Sequence, residues 1–508
     1  PSPSRGEGEK IWSLEHGLSP MSLLFPDTPT FTGFNEPRRI EAEVFDLEVD
    51  GNLPPELNGT FYRCGPDPRF PPRLGDDINI NGDGMVTMFR FADGHVDFRS
   101  RYVRTEKFKL ETAARRALFG AYRNPYTDDP SVSGRDRTTA NTNAVFHAGR
   151  LFALKEDGLP HELDPDTLET KGRFDYGGRM KSETATAHPK IDPGTGEMIS
   201  HGYEARGLAS RDVALQVISP DGNLSREEFF LAPYCSMMHD WAVSAEHLIF
   251  PLWSTTADLE RIRRGGPHWM FEPDRDLEIG IVRRDADMKD IRWYRLPPSG
   301  VGHILNAFSD GDKVYIDLFI SERNQFPFIQ NVNGEPFDRD KATPRLTRWT
   351  FDLSKKSDGF SAKTFFEDFM EMPATDLRYQ MHPYRHGFTA IVDRSKPLNA
   401  AGTIGIGWNT ICRVDIAAGK MRRYYVGERT TCQEPCFVPR SQDAPEGNGW
   451  VLSVLNRFEG DTPTELAVFD AQHVAEGPLA RIRMPFRLRA AVHGNWVPGQ
   501  VLAGKRSE

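Results

Sequence analysis

Arg150-Leu-Phe-Ala-Leu-Lys-Glu-Asp-Gly-Leu-Pro-His-Glu-Leu-Asp-Pro-Asp-Thr-Leu-Glu-Thr170 is the stretch on which the fold class turns. An apolar run stops at Asp-Gly, a second short run stops at Asp-Pro-Asp, and residues 150–176 read as strand, turn, strand, turn. The same punctuation recurs outward in both directions. Gly59-Thr-Phe-Tyr-Arg-Cys-Gly, Met85-Val-Thr-Met-Phe-Arg-Phe, Lys313-Val-Tyr-Ile-Asp-Leu-Phe-Ile, Trp450-Val-Leu-Ser-Val-Leu and Glu465-Leu-Ala-Val-Phe-Asp are further strand candidates. A meander of this length must close on itself, because open sheet edges pair with other chains. Radial closure into four-stranded propeller blades is the economical solution, and no repeat of the WD or kelch type is present, so the blades are divergent.

The chain of 508 residues carries 38% hydrophobic and 27% charged residues, enough for a substantial core. Its 44 glycines and 38 prolines are spread along the length, which means turns rather than a linker, and 1–508 reads as a single all-β domain. Residues to about 40 form an extended N-terminal arm, and about 107–125 form a helical insertion, with a second helical segment at 255–265 ending at glycine. The net charge of −10 gives no support to nucleic-acid binding. No apolar run approaches the roughly 18–20 residues of a membrane span, and the N-terminus lacks a secretory stretch. Five cysteines, Cys432 and Cys436 among them in a C-x3-C pair, do not make a disulfide framework and read as reduced thiols. The expected compartment is cytoplasmic, and the oligomeric state is open.

Four of the fourteen histidines sit among small or apolar residues, where a neutral imidazole needs a partner. They are His188 in Thr184-Ala-Thr-Ala-His-Pro-Lys, His239 in Met237-Met-His-Asp-Trp-Ala, His303 in Gly302-His-Ile-Leu-Asn-Ala-Phe and His493 in Val492-His-Gly-Asn-Trp-Val. Their spacing matches no zinc finger and no H-E-x-x-H helix. In a propeller, inner strands of separate blades converge on the axis, so distant histidines can meet there.

From about Phe45 to Val497 the sequence resembles the carotenoid cleavage oxygenase family. The segments that carry the resemblance are Leu57-Asn-Gly-Thr-Phe-Tyr-Arg, Asn81-Gly-Asp-Gly-Met, the contexts of His188, His239 and His303, Glu434-Pro-Cys-Phe-Val-Pro-Arg, and His493-Gly-Asn-Trp-Val, in that order. The resemblance implies a seven-bladed β-propeller with a helical and loop cap over an Fe(II) held by His188, His239, His303 and His493. It implies that Glu156, Glu371 and Glu434 hold three of the imidazoles from behind, fixing tautomer and raising basicity. At Glu371, the neighbouring Glu367 and Asp368 are competing acids. Four neutral ligands leave the iron charge uncompensated, unlike a two-His-one-carboxylate site. Thr142 matches a threonine whose methyl crowds one open position; an ordinary strand threonine is the alternative.

Within that family the chain is most similar to the stilbene-cleaving branch, the lignostilbene and resveratrol dioxygenases. The similarity is closest at Arg101-Tyr-Val-Arg-Thr-Glu-Lys-Phe, Gly120-Ala-Tyr-Arg-Asn-Pro-Tyr-Thr-Asp and Leu154-Lys-Glu-Asp. Lys155 and Tyr122 match the pair that hydrogen-bonds a substrate 4-hydroxyl, and a lysine there favours phenolate. The branch commonly has phenylalanine where this chain has Ile80, so the pocket is wider or stacks less at that point. Phe308, Phe326 and Phe328 are candidate aromatic walls, with plain core packing as the alternative. A mean hydropathy of −0.53 speaks against a long carotenoid substrate. The expected reaction is O2-dependent cleavage of a 4-hydroxystilbene into two aromatic aldehydes. Cleavage of isoeugenol or a vinylphenol, apocarotenoid cleavage and a metal-free binding propeller are the alternatives.

Overall fold

A computed structural model describes residues 24–355, 359–397, 407–458 and 460–503. The segment from Arg150 folds as read. Asn143–His147 turns through Ala148 and Gly149, both at positive φ, into the strand Arg150–Leu154. That two-residue hairpin suits the right-handed twist of its strands. The strands His161–Leu163 and Thr170–Arg173 follow, joined by a turn in which Asp164 Oδ1 accepts the N–H groups of Asp166 and Thr167.

Seven antiparallel sheets of four to six strands make the seven blades of a β-propeller. The strands at their axial ends are, in chain order, Asn143–His147 (blade 2), Lys190–Ile191 (blade 3), Ala242–Val243 (blade 4), Gly300–Asp310 (blade 5) and Phe369–Thr375 (blade 6). Blade 7 presents Thr430–Cys432 and Cys436–Pro439, and blade 1 presents His493–Pro498. The ring closes twice. His493–Pro498 pairs with Gly59–Pro66, and Val49–Gly51 pairs with Pro478–Met484. Each pairing joins the two ends of the chain and removes an open edge. Between blades 1 and 7 lies one slab of the core, in which Phe61, Phe89, Phe91 and Phe98 pack against Leu452, Val454 and Ile482.

Two helical expectations need correction. The helix of the insertion spans Glu106–Ala114, not 107–125. Thr105 caps its start by accepting the Phe108 N–H, and Arg115, in the left-handed region, ends it. The composition downstream favours helix, but the buried Glu111 carboxylate takes the N–H groups of Leu118 and Phe119 and draws the chain into a loop. At 255–265, Thr255–Ala257 is a strand paired with Trp269–Phe271, and the helix is confined to Leu259–Arg263. Of the expected N-terminal arm, residues 1–23 lie outside the described residues. The remainder is anchored, with Phe31 and Phe34 buried and the Asn35 carbonyl accepting from the Arg489 guanidinium. Over the axis the cap is built mainly of loops. No helix among the described residues is long and apolar enough to cross a membrane.

Candidate metal centre

The axial strands bring His188, His239, His303 and His493 together, with one potential ligand atom from each lying within 4.8 Å of the others. Blades 3, 4, 5 and 1 supply the histidines, and blades 2, 6 and 7 supply Glu156, Glu371 and Glu434, so every blade contributes one residue. His303 Nδ1 lies 2.7 Å from Glu371 Oε2, His493 Nδ1 lies 2.7 Å from Glu434 Oε1, and His239 Nδ1 lies 3.2 Å from Glu156 Oε1. A carboxylate only accepts, so each of these Nδ1 atoms carries the hydrogen and each Nε2 presents a lone pair. Glu367 and Asp368, the competing acids, pair outward with Arg345 and Arg423.

Those lone pairs converge. Nε2 of His239 is 3.3 Å from Nε2 of His188 and 3.2 Å from Nε2 of His303. The buried Nε2 of His493 has no hydrogen-bond partner. Bare lone pairs at this separation repel unless a cation lies between them. Nitrogens about 2.1 Å from a shared metal and at right angles stand about 3 Å apart, close to the spacing found. The donor set therefore fits a divalent transition metal of the kind imidazole binds.

Backbone geometry aims these side chains. The pairing register shifts between Val301 and Ile304, the stretch that holds His303, and again just after Glu371, where Met372 has φ +59°. Such bulges re-aim side chains beside active sites. Gly302 is required by close approach: a Cβ there would overlap Glu371 Oε1, which accepts the His303 backbone N–H at 2.7 Å. Glu434 behaves alike, with Oε2 accepting the Gly494 N–H at 2.9 Å.

Electrostatics follow from these contacts. Burial, and then the three other imidazoles, push His188 well below the ordinary histidine range, which keeps its lone pair free. Burial opposes a charge on His303, but Glu371 outweighs it and raises the ring to about 9, a measure of its basicity. Burial likewise works against the Glu156 charge, yet His239 outweighs it and holds the carboxyl at about 2.

His188 has no glutamate behind it. Blade 2's Glu156 reaches past it to His239 of blade 4. Asp240 does related work unnoticed in the sequence. Its Oδ1 accepts from Lys190 at 2.8 Å and stands 4.0 Å from His188 Nδ1, and its Oδ2 accepts the Ile304 N–H at 2.8 Å. One carboxylate thus ties together the segments carrying His188, His239 and His303. Its position beside His239, in His-Asp-Trp, was the available signal.

A cavity of about 610 Å³ opens on this centre. Its lining includes Thr142, Ile80, Tyr122, Lys155, Phe326 and Phe328 beside His239 and His303. The Thr142 hydroxyl donates to Asn141 Oδ1 at 3.1 Å, leaving its methyl as the unengaged end. Lys155 is buried, with Nζ 5.0 Å from the Tyr122 ring centroid; it donates to the Ile80 carbonyl at 2.9 Å and Thr139 Oγ1 at 2.7 Å. Burial lowers the Lys155 ammonium, and Asp157 at 3.5 Å opposes that. Phe308 does not line the cavity. It stacks on Tyr315 with centroids 4.7 Å apart, in the body of blade 5, because the pleat turns it away from the axis.

Residues 35–498 match the family model described as retinal pigment epithelial membrane protein. An isoeugenol monooxygenase of Pseudomonas nitroreducens is 45% identical over 94% of this chain and 100% of its own length. A lignostilbene-alpha,beta-dioxygenase, isozyme III of Sphingomonas paucimobilis, is 42% identical over 94% of this chain and 99% of its own. The crystal structure of Pseudomonas brassicacearum lignostilbene dioxygenase superposes with a TM-score of 0.91 at 42% identity, covering 94% of this chain and 100% of that one.

Proposed function

The chain belongs to the retinal pigment epithelial membrane protein family of carotenoid cleavage oxygenases and is an alkene-cleaving oxygenase; from that premise we propose that it is an Fe(II) dioxygenase that cleaves a C=C bond conjugated to a 4-hydroxyaryl ring, a 4-hydroxystilbene first, into two aromatic aldehydes. The observation that carries the phenolic reading is that Lys155 and Tyr122 share one cavity wall with His239 and His303. Lys155 spends two of its hydrogens on Ile80 and Thr139, and the third faces only the long 3.5 Å contact to Asp157. That N–H is the donor for a substrate oxygen. Burial raises the Tyr122 hydroxyl well above its ordinary range, so it stays protonated and donates as well. Two donors and one cation stabilise phenolate over phenol. Phenolate feeds electron density through the ring into the conjugated double bond far more strongly than a methyl ether, which has no proton to lose.

Iron, when bound, supplies the site at which O2 becomes reactive toward a closed-shell alkene. The four histidines hold it without a compensating carboxylate. Glu156, Glu371 and Glu434 keep the rings oriented, the Thr142 methyl narrows access for water, and Phe326 and Phe328 keep the pocket apolar. Five buried cysteines, none in a disulfide, support a cytoplasmic setting.

A second reading, cleavage of isoeugenol or a vinylphenol, has its own support. Ile80 stands where the stilbene branch commonly has a stacking phenylalanine, and two relatives at 45% identity are isoeugenol monooxygenases. A panel of resveratrol, isoeugenol and their O-methyl ethers, run on iron-loaded protein with product masses, decides between them. Turnover of the ethers at the rate of the free phenols would overturn both.

A further inference from the structure

We propose that Arg123, Glu204 and His268 form a positioning network that fixes the phenol-binding end of the cavity, so that preference for a free 4-hydroxyl depends on them; this rests on the phenolic reading above. Tyr122 lies in a loop without regular secondary structure, and the next residue, Arg123, has φ +53°. Side chains rarely adopt that conformation, and it persists only where the surroundings over-determine it. Here they do. The Arg123 guanidinium pairs with Glu204, donates to the Tyr203 hydroxyl at 3.3 Å and lies 5.3 Å from the Trp269 ring centroid. Glu204, itself at φ +52°, also accepts the Ala209 N–H and meets His268 Nε2 at 3.1 Å. The other nitrogen, His268 Nδ1, lies 3.0 Å from the Arg123 carbonyl oxygen. The contacts close a ring: Arg123 side chain to Glu204, Glu204 to His268, His268 back to the Arg123 backbone. Both ends of Arg123 are held, and with them the backbone that carries Tyr122.

The network is almost wholly buried, Arg123 at 6%, Glu204 at 3% and His268 at 1% exposure. Buried ions of this kind are costly and add little stability over apolar packing. Their location is informative, because Tyr122, His268 and Trp269 all line the cavity. The His268 ring stands between two acceptors, the Glu204 carboxylate and the Arg123 carbonyl oxygen. Burial lowers that ring from its ordinary range, and the Glu204 carboxylate and Arg123 carbonyl oppose this. Burial also works against the Glu204 charge, but His268 and Arg123 outweigh it and hold the carboxyl at about 2. At this end Lys155 faces Asp157 and Arg123 faces Glu204.

The test is anaerobic fluorescence titration of iron-loaded protein with 4-hydroxystilbene and 4-methoxystilbene, on wild type, Glu204→Gln and His268→Phe. We expect wild type to prefer the hydroxy compound. In both variants that preference should fall by about tenfold, the worth of one net hydrogen bond, with iron content unchanged. His268→Phe keeps the Arg123–Glu204 pair and so decides the matter if Glu204→Gln does not fold. Folded variants that keep the wild-type preference, or that lose both ligands equally, overturn the positioning role. A wild type that binds the two ligands equally overturns the phenolic reading instead.

Discussion

A Cβ at Gly302 would overlap the carboxylate that holds both the ring and the backbone N–H of His303. Gly302→Ala is therefore expected to cost about 1–3 kcal/mol of local strain and to lower iron affinity by tenfold or more, read by metal analysis after gel filtration. Lys155→Met acts on the other side of the centre. Loss of one charge-assisted donor should lower kcat/KM for a 4-hydroxystilbene by about a hundredfold with iron content unchanged. Asp77, on the cavity wall, shows a pH effect of opposite sense to the usual carboxylate. Burial raises it to about 6, against which the Asn81 amide works. The folded protein then holds this proton more tightly than the unfolded chain, so stability is lost as pH rises from about 4 through 6. Asp77→Asn should match wild type in Tm near pH 4 and exceed it above pH 7.

At the level of elements, the helix Glu106–Ala114 is held by charge rather than by an apolar stripe. Lys107 is buried between Asp83 at 3.0 Å and Glu111 at 2.6 Å, and Glu111 in turn organises the loop leading to Tyr122. The two carboxylates outweigh burial and keep Lys107 charged. Lys107→Met leaves two buried acids unpaired, with an expected loss of about 3–5 kcal/mol in denaturant unfolding. The strands of blades 5 and 6 work differently. Their bulges at His303 and Glu371 give up ladder hydrogen bonds to turn one side chain each toward the axis.

For the whole molecule, the centre is a joint between blades that share no strand. Blades 1 and 5 meet there through His493 and His303, and blades 2 and 4 through Glu156 and His239. A metal that binds only the folded ring stabilises it in proportion to its occupancy, about 2.7 kcal/mol at a hundredfold excess over Kd. Chelation should lower Tm by a few degrees, and Fe(II) should restore it, followed by calorimetry under anaerobic conditions. An unchanged Tm on metal removal would contradict this account of the centre.

Local pattern determined the strand-and-turn grammar, as at 150–176, because hairpin turns and period-two alternation are written in neighbouring residues. The blade number and the identity of the four histidines came from motif order, since no local rule links imidazoles so far apart in the chain. Tertiary structure alone decided which end of each blade faces the axis, that Phe308 packs in a blade while Phe326 walls the cavity, and that the helix stops at Ala114. It alone brought Glu204 and His268 to the residue beside Tyr122. These are contacts between distant segments, set by how the closed ring brings its blades together, and residue spacing carries no trace of them.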